Sequence, residues 1–334
     1  MNAQPLQTYL DDRPTTNLRM PVEDHGIVLP YGDGPGQCDI NGARDMTVFE
    51  DHGTFYMLYD GCGPHGWKCC LAISQDLLHW EKRGILLEHG GPNDPDCGYT
   101  GYGAVLKVGN KWHLYYVACH QTTPAPDFIP AMPYLTLKAE ATNPLGPWTK
   151  RYDQIPFHLK PGTYYADTGN SNAVIDHQGE YQLFFSAAIF SPPGIKRTLG
   201  VARSRTPEGP WIPDPAPILP LEEQIENASL YYEPTMGVWF LFTNHVGFTE
   251  LGEFRDGVWV YWTRDLKHWD PANKAVVVDG ESCRWSKVSI GMPSVVPYQG
   301  RLALIYDAPG GQSIDNTGNS IALAWLALPL RIPT

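Results

Sequence analysis

Basic residues are scarce in this 334-residue chain: Lys and Arg total 24 against 36 Asp and Glu, a formal charge of −12. No basic run tracks along it as a phosphate-binding stripe would, which argues against nucleic acid or an anionic membrane as partner and favours a neutral or cationic ligand. Long apolar runs are missing as well. Met1–Arg13 carries Asp11 and Asp12 and no apolar core of a leader, so the chain reads as soluble, without a membrane span, and cytoplasmic. Cysteines are few, at 38, 62, 69, 70, 97, 119 and 283. Their number is odd, none forms a C-x-x-C pair, and Cys69 and Cys70 are adjacent, a pattern of reduced, buried thiols rather than a disulfide framework. No H-x-x-x-H or Cys/His ligand spacing occurs, which disfavours a transition-metal centre. Phosphate-loop, nucleophile-elbow and dinucleotide motifs are lacking too; Gly32–Gly36 is a glycine-rich turn and opens no helix.

What the chain has in quantity is turns and rings: 33 Gly and 31 Pro, with 11 Trp, 18 Tyr and 11 Phe. Gly and Pro destabilise helices, and aromatics favour strands, so a helical bundle or coiled coil is excluded and a mostly β protein is expected. At 43 % hydrophobic and 18 % charged the chain is not disordered.

A repeat organises it. Five aromatic-rich strands begin at Thr54, Lys111, Glu180, Val238 and Arg301, about sixty residues apart, each behind a reversal signal such as Asp51-His52-Gly53 or His177-Gln178-Gly179. A tryptophan mark follows the first four: Asp76-Leu77-Leu78-His79-Trp80, Pro144–Trp148, Pro207–Trp211 and Asp265-Leu266-Lys267-His268-Trp269. Four short strands per unit, five times over, predict one all-β domain: a five-bladed β-propeller of four-stranded antiparallel blades near 43–90, 100–160, 167–221, 225–280 and 285–328. The fifth unit lacks its outer strand. Gly26–Pro30 resembles the missing piece and is expected to pair there and close the ring, since an open ring would leave an unpaired edge.

In a propeller the innermost strands start at the mouth of a central funnel, so residues at those starts converge. Three acids stand there: Asp45 in the first unit, Asp167 just ahead of the third, and Glu226 in the fourth. Converging carboxylates raise one another's pKa and cost stability, and cleavage of a glycosidic bond gives such a cost a chemical purpose. The alternative for each is a turn cap or an ion pair, as with Arg44 beside Asp45.

Asp45, Asp167 and Glu226, the latter in Ile225-Glu226-Asn227-Ala228-Ser229-Leu230-Tyr231-Tyr232, together with the aromatic strands and the tryptophan marks, resemble the five-bladed glycoside hydrolases of family 43 and its relatives in families 117, 32 and 62. The resemblance spans nearly the whole chain. It implies an inverting hydrolase in which Asp45 is the general base, Glu226 the general acid, and Asp167 the group that orients the acid and raises its pKa. Two features depart from it: Ala43-Arg44-Asp45-Met46 lacks the Asp-Pro step common in these families, and Asn227 replaces the cysteine that follows the acid in the retaining fructosidases.

Around the acids, Arg44, Tyr102, Tyr165, Asn170, Asn172, Asn227, His120, His245 and Trp285 are the candidate substrate contacts, with Trp67, Tyr99 and Tyr164 as further rings in suitable connections. Core packing and turn formation are the competing roles of these residues. No cofactor is required by this chemistry. Some relatives hold an axial calcium ion, which nothing in the sequence supports. The expected activity is exo-cleavage of a terminal sugar from an oligosaccharide, because residues 89–101 and 120–134 are long enough to wall one end of the pocket. A retaining glycosidase, a family-130-like phosphorylase and a non-catalytic carbohydrate-binding propeller are the alternatives. The phosphorylase would need a cationic cradle, for which the sequence offers only Arg44.

Overall fold

The repeated strands all fold as the second strand of a sheet: Thr54–Gly63, Lys111–Cys119, Glu180–Ser191, Val238–Thr249 and Arg301–Ala308. The computed structural model describes the whole chain except Met1–Leu6, Leu10, Asp11, Pro193 and Leu251, and except the side chains of Gln7, Thr8 and Thr249. The leader expectation over Met1–Arg13 thus lies largely outside the described residues. Each second strand pairs antiparallel with a first strand, namely Ala43–Asp51, Tyr99–Val108, Thr168–His177, Ile225–Glu233 or Ser294–Tyr298. The reversals between them turn at Gly53, Gly109, Gly179, Gly237 and Gly300, all with positive φ, where glycine bears no steric cost.

Third strands follow at Gly66–Ser74, Leu135–Ala141, Gly194–Ser204, Gly252–Thr263 and Ser320–Ala327. Outer strands complete the first four units at Glu81–Leu87, Thr149–Lys150, Ile212–Pro213 and Lys274–Asp279. The fifth unit takes its outer strand from the N-terminal part of the sequence: Glu23–Leu29 pairs antiparallel with Ser320–Ala327, as the sequence predicts. One parallel pairing, Lys68 with Thr100, joins the first two units into a single eight-stranded sheet. The protein is therefore all-β, and among the described residues the only helical turns are the short 3-10 segments Pro35–Gln37 and Leu221–Glu223.

Contacts among the first strands run from unit one to two, two to three, three to four, four to five, and five back to one. Apolar side chains of neighbouring sheets fill the spaces between them. The tryptophan marks supply much of this packing. Trp80 packs against the cluster that joins units five and one, Trp148 against the one that joins units one and two, and Trp269 belongs to the one that joins units three and four. Trp211 meets Tyr115 of unit two edge-on, with ring centroids 5.2 Å apart. Each ring thus sits in the packing between its own unit and the one before it. The Asp-Leu-x-His-Trp marks fold alike: Asp76 accepts from the Leu78 and His79 N–H groups at 2.9 and 2.8 Å, and Asp265 from Lys267 and His268, both at 2.9 Å. His79 and His268 themselves stay exposed.

All seven cysteines are free thiols, six of them buried, as their spacing implies. No helix among the described residues is long and apolar enough to cross a membrane.

Two outcomes test this packing. Trp211→Ala should cost about 3–5 kcal/mol in urea unfolding, the usual range for emptying a buried aromatic site. Removing residues 1–30 should lower the Tm sharply, since it exposes the edge of Ser320–Ala327; an unchanged melting curve would show that the N-terminal strand is dispensable.

Candidate active site

Four of the five first strands carry a β-bulge near their start. Register shifts fall between Arg44 and Met46, Thr100 and Gly103, Ser171 and Ala173, and Glu226 and Ser229. A bulge breaks the strict alternation of a strand and re-aims the side chains beside it. Two non-glycine residues within these bulges sit in the left-handed region, Asp45 at φ 43° and Asn227 at φ 63°. Such conformations carry strain and concentrate at functional sites.

The bulges bring Arg44, Asp45, Tyr102, Glu226 and Asn227 to the wall of one cavity of about 410 Å³, with Asn170 from the third unit. This volume suits a small-molecule ligand. Tyr99, also from the second unit, and Ile129, Pro130, Met132 and Tyr134, from the long connection after it, line the same space, as do Ile314, Asp315 and Asn316 from the fifth. Residues 120–134 therefore form a wall, as their length suggests. Of the other long connection, 89–101, only Tyr99 reaches the cavity.

Three further residues on the wall escaped the sequence reading: Arg197, Glu253 and Arg255, on the third strands of units three and four. A signal for the arginines exists. Gly194-Ile195-Lys196-Arg197 and Gly252-Glu253-Phe254-Arg255 place Gly-x-x-Arg at the start of equivalent strands. The guanidiniums organise the acids. Arg255 donates to Asp45 Oδ1 at 2.6 Å and to Asp307 Oδ2 at 3.2 Å. Arg44 Nε stands 3.3 Å from Asp45 Oδ2, its Nη1 donates to Asn316 Oδ1 at 2.9 Å, and its plane covers the Trp67 ring at 4.2 Å. Arg197 Nη2 donates to both Glu253 oxygens at 2.7 and 2.8 Å, and its Nη1 lies 3.3 Å from Glu226 Oε2.

Burial pushes Glu226 above the usual carboxylate range; Arg197 opposes the shift, Glu253 adds to it, and the charges of Arg255 and Asp45 follow. Behind the wall two fully buried acids move the same way. Asp60, which accepts from the Tyr102 N–H at 2.7 Å and from the Tyr99 hydroxyl, is raised well above that range by burial and then by Asp45. Burial also raises Asp307, against the pull of Arg255, while Asn319 donates to it at 3.0 Å. Protons in such a cluster belong to the set rather than to single residues.

A neutral network fixes the floor. The Tyr102 hydroxyl donates to Asn227 Oδ1 and accepts from Asn172 Nδ2, both at 3.1 Å; Ser186 Oγ donates to Asn172 Oδ1 at 2.9 Å and accepts from the Asn227 N–H at 2.8 Å. Asn172 is thus a support beneath the cavity wall.

The remaining candidates stand elsewhere. Asp167 is not among the residues that line the cavity, and its carboxylate accepts from the Phe190 N–H of the hairpin at 2.6 Å. His245 is fully buried between sheets, stacked on Trp259 at 4.0 Å, and burial drives it well below the ordinary imidazole range. His120 is exposed one residue beyond its strand. Trp285 donates to the Tyr306 hydroxyl at 3.0 Å, and Tyr164 and Tyr165 pack with Phe157 and Phe185. Trp67 is buried beneath Arg44 and serves the site from behind. Away from the cavity, His113, Glu140 and Glu208 come within metal-ligand range of one another, but Lys138 Nζ already lies 2.9 Å from Glu140 Oε1. Burial, followed by the charge of Lys138, pushes His113 down to about 4.

No family model matches the chain. It is 32 % identical over 53 residues to a 1,2-beta-oligomannan phosphorylase of Thermoanaerobacter sp. (strain X514), a stretch that spans 15 % of this chain and only 18 % of that protein. Solved structures match nearly end to end. A complex of BT0996 with RGII superposes at a TM-score of 0.71 and 17 % identity, over 95 % of this chain and 96 % of that one. The family 117 glycoside hydrolase Zg3597 of the marine bacterium Zobellia galactanivorans gives 0.60 and 16 %, over 91 % and 90 %. A thermostable family-43 glycoside hydrolase gives 0.61 and 13 %, over 91 % and 98 %. The chain has the fold of these glycoside hydrolases, in line with the resemblance carried by its repeated strands.

Tyr102→Phe checks the floor directly. It leaves two buried asparagine groups without their partner, and chemical denaturation should show a loss of about 1–3 kcal/mol.

Proposed function

We propose that the protein is a glycoside hydrolase that removes a terminal sugar from an oligosaccharide with inversion, on a five-bladed propeller whose ring is closed by the N-terminal strand. Support for the ring comes from the cyclic contacts of the first strands and from the pairing of Glu23–Leu29 with the last sheet. One observation carries the activity: Asp45 and Glu226 share a single cavity, where burial raises Glu226. A carboxyl group whose pKa is raised holds its proton to higher pH and is better fit to protonate a leaving oxygen. Asp45, oriented by Arg44 and Arg255 on its two oxygens, takes the part of the base that activates water on the opposite face of the sugar. The reaction needs no cofactor. Exo-action is supported by the wall built from residues 129–134 and 314–316, and Asn170, Asn227, Asn316 and Arg44 supply hydroxyl contacts.

Phosphorolysis is the second reading. Three guanidiniums line the cavity where the sequence offered one, and a short stretch is similar to a phosphorylase. Those guanidiniums are, however, each engaged by a carboxylate, which repels phosphate and favours water as the acceptor.

A screen of aryl glycosides and plant or algal oligosaccharides in phosphate-free buffer tests both. The parent should release free sugar without added phosphate, and Glu226→Gln and Asp45→Asn should each lower kcat on the natural oligosaccharide by about 10²–10⁴-fold. Product that appears only with phosphate would replace hydrolysis by phosphorolysis. Sugar binding that persists in both variants, with no turnover by the parent on any glycan, would make the protein a binding module.

A further inference from the structure

Arg197 stands between two glutamates and treats them unequally. Its Nη2 is committed to Glu253 through both carboxylate oxygens, whereas Nη1 only approaches Glu226 at 3.3 Å, and its buried Nε has no hydrogen-bond partner among the described residues. A guanidinium offers a fork that fits one carboxylate side-on. Here that fork is not closed on Glu226. The two acids also differ in their access to water: the Glu253 side chain is 32 % exposed, the Glu226 side chain 18 %. Glu253 reaches the cavity from the start of a hairpin strand, opposite Phe248, while Glu226 lies in the bulge of a first strand.

This inequality bears on the reading of Glu226 as the acid, and the inference rests on that reading. A buried carboxyl group facing an uncompensated arginine loses its proton and cannot donate one. The groups that face Glu226 are Arg197 from unit three, Glu253 and Arg255 from unit four, Asp45 from unit one, and the hydroxyls of Tyr102 and Tyr134. Of the acids among them, Glu253 is the one that engages Arg197 directly. We propose that Glu253 is the positioning residue of the acid: it anchors Arg197 by one nitrogen, prevents a closed pair between Arg197 and Glu226, and so leaves the proton on Glu226. It fills the place that the sequence assigned to Asp167, from a different strand and by acting through an arginine. The direction agrees with the like-charge contribution of Glu253 at Glu226.

The test reads Glu226 itself. In protein labelled with carboxyl-¹³C glutamate, with the signal assigned by its loss in Glu226→Gln, the titration midpoint of Glu226 should fall by about one pH unit, a tenfold change in proton affinity, in Glu253→Gln. Glu253→Asp, which keeps the charge but shortens the reach, should lie between parent and Gln variant, and it serves as the readout if Glu253→Gln does not fold. Glu250→Gln, on the same hairpin and exposed, should leave the midpoint in place. In Glu253→Gln the alkaline limb of kcat/KM, set by loss of the acid's proton, should move to lower pH by the same amount. An unmoved or raised Glu226 midpoint in Glu253→Gln would overturn the proposal. Because the titration needs no substrate, it is separable from the activity: full turnover by Glu226→Gln would remove Glu226 as the acid and leave the coupling measured.

Discussion

Arg255 reaches from the fourth unit to Asp45 in the first and Asp307 in the fifth, and the rest of the cavity is arranged around that contact. Burying a guanidinium works against its charge, but Asp307, Asp45 and Glu226 outweigh the burial and hold Arg255 protonated. Without it the carboxylates of Asp45 and Asp307 would face each other with no cation between them. A buried pair of this kind is weak evidence for stability, because desolvation consumes most of the Coulomb gain. Its value lies in geometry: three separate sheets are fixed at one point by side chains whose partners are set.

The same logic repeats at Arg197, between Glu226 and Glu253, and at Arg44, between Asp45 and Asn316. The cavity is therefore a salt lattice in which acids outnumber bases. Asp60, Glu226 and Asp307 are all raised above the usual carboxylate range, burial being the main cause for each. That is the setting in which one carboxyl group can hold a proton while another stays ionised a short distance away. The neutral Tyr102, Asn172, Ser186 and Asn227 network beneath adds no charge and keeps the bulges in place.

Much of the fold was legible because it is copied. The second strands begin at Thr54, Lys111, Glu180, Val238 and Arg301, the residues where the repeat begins, and the missing outer strand of the last unit was traced to the N-terminal stretch. The site was legible only in part, for a physical reason. Asp45 and Glu226 lie inside first strands, where a bulge turns them inward; Asp167 precedes its strand at Thr168 and is bound by a hairpin N–H. Position near a strand start does not encode a bulge. His245 looked like a ligand group but sits at a strand position that points between sheets. Glu253, Arg197 and Arg255 arrive from third strands, which funnel geometry had not singled out, although the doubled Gly-x-x-Arg marks the two arginines.

The most direct measurement is a crystal structure of the Glu226→Gln protein with an oligosaccharide that the parent cleaves. Acid–base cleavage between Glu226 and Asp45 predicts a terminal sugar in the cavity, its glycosidic oxygen within hydrogen-bond reach, about 2.6–3.2 Å, of the side chain at position 226, and Asp45 facing the anomeric carbon from the opposite side. A sugar bound with that oxygen remote from position 226, or with Asp45 and position 226 on the same face of the ring, would contradict it.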